Sequence, residues 1–221
     1  MKPKALVVGG TGGIGSAIVS YFTKLELDVT STSTSDFDLK HESQVIDWLS
    51  NYNSIPEILV CNAGINNPNL IYDQNQTELR EILEVNFFSH SYILKHFAKK
   101  MSEKSYGRIV VISSAYAHRF REGRSAYSAS KSALEAYSKT LALECAKSNV
   151  LINCVAPGFF KTPLTLKNND EQKISEIRSQ IPIGRLGEVE EIVDLIGYLS
   201  SAKNTYITGQ TIDIDGGFSL I

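Results

Sequence analysis

The sequence predicts an α/β protein built around a parallel, doubly wound sheet. Short apolar runs typical of buried strands alternate along the chain with longer segments of helical periodicity. Such alternation places helices on both faces of a parallel sheet, with the ligand at the carboxyl ends of the strands. The 221 residues contain no repeat, linker or low-complexity tract. We therefore expect one domain over residues 1–221.

Composition excludes several classes of partner. Hydrophobic residues make up 43% of the chain and charged residues 21%, and the formal net charge is -2. This balance favours neither nucleic acid nor an anionic membrane as the main partner, and no apolar run approaches the ~20 residues of a membrane span. Cys61, Cys145 and Cys154 show no metal spacing and suit free thiols in a reducing compartment. We expect a cytoplasmic protein with no structural metal.

The chain begins with a predicted strand, which is followed by a glycine loop and a helix. Ala5 to Val8 is a short apolar run, and five glycines fall within the seven residues Gly9 to Gly15. Glycines let a backbone approach a pyrophosphate, and a helix N-terminus supplies free N–H groups. Dinucleotide binding is therefore favoured over a plain turn. The absence of a Gly-Lys-Ser/Thr sequence excludes a P-loop.

The second strand, Leu27 to Ser33, bears on the choice of cofactor. Its end reads Thr32-Ser33-Thr34-Ser35, with hydroxyl side chains and no carboxylate from Thr32 until Asp36. A carboxylate at this point binds the ribose diol of NAD, whereas hydroxyls tolerate the additional phosphate of NADP. NADP(H) is therefore favoured. Because no arginine or lysine is apparent to hold the phosphate, NAD(H) remains possible.

Too few residues follow for a full βα unit. Only one helix, His41 to Asn51, precedes the next strand, Glu57 to Cys61, so Asp36 to Leu39 can form at most a stub. After that strand, Asn62 to Gly64 lies near the predicted ligand edge. A long helical pattern then runs from Thr77 to Met101.

Two polar residues, Asn86 and His90, fall on the inward stripe of that helical pattern. A buried amide is costly unless it is hydrogen-bonded. Asn86 is therefore either a satisfied core residue or part of a site. We interpret His90 as structural.

The central stretch carries the strongest chemical signal. Ser114 follows the apolar run Ile109 to Ile112, and Tyr127 and Lys131 stand four residues apart at the start of a helix. A free phenol has a pKa near ~10, and a cation about 4 Å away would lower it. Tyr127 could then exchange a proton with a carbonyl or alcohol oxygen that Ser114 holds. For the isolated Tyr-Lys pair, a surface contact is the alternative.

The remaining elements complete the alternation. Phe159 to Gly187 is polar and resembles a lid, with one short helix near Asp170 to Gln180. The other predicted elements are the helix that continues to about Lys147, the strand Val150 to Val155, the helix Glu190 to Leu199 and the strand Thr211 to Ile214.

At this point the residues resemble the short-chain dehydrogenase/reductase family over nearly the whole chain. Gly9, Gly13 and Gly15 fit its glycine loop, although Val8 replaces the usual threonine. Asn62-Ala63-Gly64 is similar to its Asn-Ala-Gly element, and Asn86, Ser114, Tyr127 and Lys131 match its catalytic positions. Arg185-x-Gly and the stretch from Thr208 to Gly217 resemble the 3-oxoacyl-acyl-carrier-protein reductase branch.

The resemblance implies a Rossmann-like fold and a set of cofactor contacts. Asp38 and Leu39 would lie at the adenine edge, and Pro157, Gly158 and Thr162 at the nicotinamide carboxamide. The full implied set is Gly9, Thr11, Gly13, Ile14, Gly15, Thr32, Ser33, Thr34, Asp38, Leu39, Asn62, Ala63, Gly64, Tyr127, Lys131, Pro157, Gly158, Phe160 and Thr162. Because one βα unit of the family is missing after strand 2, we expect six full strands in the order 2-1-4-5-6-7 in family terms.

The resemblance also implies an activity. NADPH would reduce a ketone, such as a 3-oxoacyl thioester that a carrier protein could hold, while Tyr127 protonates its oxygen. Lys131 would lower the tyrosine pKa, and Asn86 would hold a water in a proton relay. NAD-linked oxidation of a sugar or polyol alcohol and a non-catalytic dinucleotide sensor are alternatives. Basic residues between Tyr116 and Arg124 indicate either an anionic substrate or a solvated loop. The family usually pairs subunits, so we expect a homotetramer or homodimer.

Overall fold

The computed structural model describes residues 2–162, 165 and 170–221. Six parallel strands form one sheet in the order β2-β1-β3-β4-β5-β6, so the predicted strand number and order are confirmed. Every neighbouring pair is parallel, with registers such as Val8 opposite Thr32 and Cys61 opposite Val111. The strands are β1 (Lys4–Val8), β2 (Asp28–Thr32), β3 (Ile58–Cys61), β4 (Gly107–Ile112), β5 (Val150–Pro157) and β6 (Thr211–Ile214).

Helices cover both faces of this sheet. They are α1 (Gly13–Lys24), α2 (Glu42–Asn51), α3 (Gln76–Leu83), α4 (Ser89–Glu103), α5 (Ser125–Cys145), α6 (Glu171–Ser179) and α7 (Val189–Ser200). The single helix predicted from Thr77 to Met101 is divided, because a π turn over Glu84–Phe88 separates α3 from α4. Asn86 lies within this turn.

Two hydrophobic cores follow from the alternation along each strand. On β1, Leu6 and Val8 face the core under α2, α4 and α5, whereas Ala5 and Val7 face the core under α1 and α7. Strands buried on both faces read as continuous apolar runs, as β3 and β4 do. The doubly wound arrangement is thereby confirmed.

The missing βα unit is replaced by a tight connection between β2 and α2. No strand forms over Asp36 to Leu39, as expected. Phe37 and Leu39 turn inward and bury their side chains in the core beneath α2, where the Phe37 ring lies 4.6 Å from that of Trp48. As a result, β2 is an outer strand of the sheet.

The polar segment after β5 is anchored at both ends. Phe160 forms a parallel bridge to Gly187, and Lys161 forms an ion pair with Glu188. Six residues of the predicted lid (163, 164 and 166–169) lie outside the described residues. None of the described helices is both long and apolar enough to span a membrane.

Candidate active site

The glycine loop is shaped by contacts that only glycine permits. Gly9 has a φ of +80°, and a Cβ on Gly15 would lie 2.1 Å from the Gly9 carbonyl oxygen. The loop therefore folds directly onto the first turn of α1. Gly12 differs, because a Cβ there would meet nothing within 4 Å. The open side of the loop thus offers backbone to a phosphate group.

Asn62 links the end of β3 to this loop. Its Nδ2 donates a hydrogen bond of 2.7 Å to the Gly9 carbonyl oxygen. The amides of Asn62 and Ala63 both donate to the carbonyl of Val8. The Asn62–Gly64 element therefore supports the loop directly.

A cavity of about 320 Å³ lies beside the ends of β1, β2 and β3. This volume is within the range of small-ligand sites. Its wall contains these predicted cofactor residues: Gly9, Thr11, Thr32, Ser33, Thr34, Asp38, Leu39, Asn62, Ala63 and Gly64. The adenosine side of the predicted site is thus brought together in one place.

Two charged residues, Asp36 and Lys40, bear on whether this cavity would bind NADP(H) or NAD(H). The Asp36 carboxylate folds back and accepts hydrogen bonds from the Ser33 amide (2.8 Å) and hydroxyl (3.1 Å). Lys40, a basic residue that is not apparent from the sequence as a group that could hold the phosphate, also lines the cavity wall. Its ammonium is paired with Glu81 at 2.5 Å. The sequence does not show that Lys40 lies at this cavity, because its position depends on the tight turn between β2 and α2 that replaces the missing βα unit.

A second cavity of about 720 Å³ lies at the ends of β4 and β5. Ser114, Tyr127 and Lys131 all line it. Opposite them are Gly13, Ile14, Pro157, Gly158, Phe160 and Thr162. Apart from Gly15, which packs beneath the glycine loop, every predicted cofactor residue thus lines one of the two cavities.

Tyr127 and Ser114 both line this cleft, and Ser114 acts on the phenol of Tyr127. Burial raises the pKa of Tyr127, while the Ser114 hydrogen bond and, after it, the charge of Arg124 act to lower it. The Ser114 hydroxyl also accepts a hydrogen bond from the Tyr116 amide at 3.2 Å. The serine is therefore fixed at the oxygen that carries the tyrosine proton.

Lys131 is hydrogen-bonded to the end of β4. Its Nζ donates a 2.8 Å hydrogen bond to the Ile112 carbonyl and lies 5.9 Å from the centre of the Tyr127 ring. Burial lowers the pKa of Lys131 to about 8, against opposing contributions from Cys154, Cys61 and Glu135. Lys131 is not among the groups that act on the pKa of Tyr127 in the free protein, and the expected lowering of the tyrosine pKa by this ammonium stays a prediction.

The depressed pKa of Lys131 predicts how the stability of the free protein depends on pH. Between about 8 and the ordinary value of 10.5, the unfolded chain keeps a proton on this side chain that the folded protein has lost. The free energy of unfolding should therefore rise with pH across this window, by on the order of 3 kcal/mol. Denaturant titrations at both ends of the window would measure the rise. A Lys131→Met variant with the same rise would contradict this origin.

Asn86 is fully buried and all its amide atoms have partners. Its Oδ1 accepts from the Ile65 amide (2.8 Å), and its Nδ2 donates to the Ile65 carbonyl (2.9 Å) and to the Ser130 hydroxyl (3.0 Å). Ser130 in turn donates to the carbonyl of Tyr127 at 2.7 Å. Asn86 is therefore a satisfied buried residue that also connects the segment after β3 to the helix carrying Tyr127.

The arginines that precede α5 are arranged around an aromatic cluster beside Tyr127. Arg119 lies 3.7 Å over the ring of Phe218, and Arg121 donates to the Tyr116 hydroxyl at 3.2 Å. Arg124 lies 5.5 Å over the ring of Tyr116. These three arginines therefore contact the aromatic cluster, and the interpretation of the loop as a site for an anionic substrate stays a prediction.

The fold and the two cavities define a class of protein. A glycine loop behind β1 and a Ser-Tyr-Lys set at the end of β4 and the start of α5 are the parts of a Rossmann-like oxidoreductase.

Comparisons with known proteins narrow this class to a family. The family model described as Enoyl-(Acyl carrier protein) reductase matches residues 20–219. The chain is 34% identical over 241 residues to 3-oxoacyl-(acyl-carrier-protein) reductase FabG of Buchnera aphidicola subsp. Acyrthosiphon pisum (strain APS), covering 100% of this chain and 98% of that protein. The chain belongs to the short-chain dehydrogenase/reductase family and is an oxidoreductase.

Two solved structures are similar over the whole chain. ElxO with NADP bound has a TM-score of 0.91 at 28% identity, and 4-hydroxyisoleucine dehydrogenase complexed with NADH has a TM-score of 0.92 at 25% identity. Both comparisons cover 100% of each chain.

Proposed function

We propose that this protein reduces a ketone, such as a 3-oxoacyl thioester, to a secondary alcohol with NADPH as hydride donor and Tyr127 as general acid. The observation that carries the proposal is the convergence of Ser114, Tyr127 and Lys131 on one cleft with the glycine loop. The similarity to a 3-oxoacyl-(acyl-carrier-protein) reductase supports the substrate class. The structure of ElxO with NADP bound supports the cofactor.

The residues present fit a dinucleotide. The open face of Gly12 leaves room for a pyrophosphate at the N-terminus of α1, and the two cavities meet at Asn62 and Gly64. The adenosine half would be held between Thr32–Thr34 and Asp38–Leu39, and the nicotinamide half between Ile14 and Pro157–Thr162. When bound, the reduced nicotinamide supplies the hydride that attacks the carbonyl carbon.

The protein's own residues then handle the oxygen and its proton. Ser114 donates a hydrogen bond to the carbonyl oxygen and fixes its position beside the phenol of Tyr127. Because burial raises the pKa of Tyr127, the phenol is protonated at neutral pH and can act as the acid. Lys131 lines the same cleft, and its pKa is about 8. When the substrate is bound, its ammonium can leave the Ile112 carbonyl and stabilise the phenolate that forms. Asn86 serves this step by holding Ser130, which bonds the backbone of Tyr127, and we also propose that it holds a water in a proton relay.

The substrate's carrier and the assembly are part of the proposal. A carrier-bound acyl substrate agrees with the FabG relative. We also propose a single cofactor-binding domain over residues 1–221, a homotetramer or failing that a homodimer, and a cytoplasmic location. The three free, buried cysteines agree with a reducing compartment. Light scattering of the purified protein tests the assembly, and a monomer would contradict it.

NAD-linked oxidation of an alcohol is the second candidate. The Asp36 carboxylate at the end of β2 supports it, because a negative charge there disfavours the additional phosphate of NADP. The similarity to 4-hydroxyisoleucine dehydrogenase complexed with NADH points the same way.

Fluorescence titration with NADPH and NADH separates the two candidates. We expect NADPH to bind about tenfold more tightly, since Lys40 can leave Glu81 for a phosphate and an ion pair contributes on the order of 1 kcal/mol. Lys40→Met should remove this preference, and Asp36→Asn should increase it. Lys203→Met, which changes an exposed lysine far from the cavity, is the control. Tighter NADH binding would favour alcohol oxidation, and no binding of either would contradict both candidates.

A further inference from the structure

His90 lies one helical turn beyond Asn86 and is completely buried. Its imidazole Nε2 is 2.8 Å from the carbonyl oxygen of Ala63. A carbonyl oxygen only accepts hydrogen bonds, so Nε2 must carry the proton and act as the donor. The other ring nitrogen, Nδ1, has no partner among the described residues.

His90 and Asn86 together hold the short segment Ala63–Ile65 against the start of α4. Asn86 bonds both the amide and the carbonyl of Ile65, and His90 bonds the carbonyl of Ala63. The side chains of Asn86 and His90, one helical turn apart, therefore hold the two residues on either side of Gly64.

The segment that these hydrogen bonds hold forms part of a wall that the two cavities share. Gly64 lines the adenosine cavity and the catalytic cleft, and Ala63 lines the adenosine cavity. A Cβ placed on Gly64 would lie 3.2 Å from Asn86 Oδ1 and 3.4 Å from Lys131 Nζ. Gly64 therefore packs closely against Asn86 and Lys131. A shift of its backbone by a few tenths of an ångström would change both the wall that faces the cofactor and the contact with Lys131.

Packing alone gives no reason for an imidazole at this position. The following inward residues of α4 are apolar, namely Ile93, Leu94 and Phe97. An apolar side chain at position 90 would fill the same core without burying an unpartnered nitrogen, which is unfavourable. Burial, with a smaller contribution from Lys131, lowers the pKa of His90 to about 4. The ring is therefore neutral at ordinary pH and keeps a single donor.

We propose that His90 is a positioning residue for the dinucleotide, acting through its hydrogen bond to the Ala63 carbonyl. This bond fixes the Ala63–Gly64 wall at the point where the two cavities meet. The inference rests on the proposed function, because it assigns the residue to the same site.

The test compares two substitutions at position 90 that differ in their ability to donate. His90→Gln retains an N–H at nearly the same distance from the helix, whereas His90→Leu removes it. We expect the Kd for NADPH, measured by fluorescence without substrate, to rise about tenfold in His90→Leu, because a buried carbonyl loses its partner. In His90→Gln it should change by less than about threefold. His96→Leu, on the same helix but away from both cavities, should leave the Kd unchanged.

Three results would overturn the inference. They are an unchanged Kd in His90→Leu, an equal loss of affinity in both position-90 variants, and an equal loss in His96→Leu. If the wild-type protein binds NADPH and NADH with no measurable affinity, the proposed function itself fails, which is a different result. Nitrogen-15 NMR of histidine in the wild-type protein provides a check that needs no variant. A proton on Nδ1 of His90 instead of Nε2 would exclude the bond to Ala63.

Discussion

Replacing Tyr127 with phenylalanine should lower the turnover number by a factor on the order of 10²–10⁴, the usual contribution of a positioned general acid. The substitution removes only the phenolic oxygen, which is hydrogen-bonded to Ser114 in the cleft. The ring, which packs against the aromatic cluster of Tyr116 and Phe218, is retained. The Kd for the dinucleotide should therefore change by less than about threefold.

Steady-state kinetics and fluorescence titration of the same preparation measure both quantities. Tyr137→Phe is the matched control, because Tyr137 lies on the same helix and its hydroxyl makes only a 3.4 Å contact with the Ser91 carbonyl. Equal turnover in Tyr127→Phe and Tyr137→Phe would exclude Tyr127 as the acid.

Replacing Gly15 with alanine should abolish measurable dinucleotide binding. The new Cβ would lie 2.1 Å from the Gly9 carbonyl and 2.6 Å from Asn62 Nδ2, so backbone must move and the Asn62–Gly9 hydrogen bond must break. Forced overpacking of this kind costs about 1–3 kcal/mol or more, equivalent to a fall in Tm of several degrees in a protein of this size.

Gly12→Ala is the control for the effect on Tm, and not for binding, because the pyrophosphate is proposed to lie on the open face of Gly12. Its Cβ would enter open space, and the extended backbone at Gly12 suits any residue, so Tm should stay within about 1 °C of the wild-type value. Thermal unfolding followed by circular dichroism compares the two variants, and the NADPH titration compares Gly15→Ala with the wild-type protein. A Gly15→Ala protein with unchanged Tm and Kd would show that the loop can yield, and its proposed role would fail.

The sequence predicts well the features that depend on local pattern. The strand Thr211–Ile214 has the predicted bounds, and the single helix between β2 and β3 follows from a simple count of residues. The proximity of Ser114 to Tyr127 also follows, because parallel strands bring their carboxyl ends to one edge. The sheet order, in contrast, is implied by the family resemblance and not by local pattern.

Features that depend on long-range side-chain partners are less accessible from the sequence. The hydrogen bond from Lys131 to Ile112 requires the position of a strand end relative to a helix, and spacing does not give this. The return of the Asp36 carboxylate to Ser33 and the approach of Lys40 depend on the conformation of one tight turn. His90 was interpreted as structural because periodicity shows burial and does not show which atom is bonded.

The shortened connection after β2 also affects how copies of the chain meet one another. In the described residues β2 pairs only with β1, so one side of its backbone has no strand beside it. An unpaired strand edge is a template for intermolecular β-sheet and hence for aggregation. Here that edge is five residues long and exposes Asp28, Thr30 and Ser31. A short strand with a charge and hydroxyl groups is a poor template, which allows the sheet to end at β2 with little risk of uncontrolled self-association.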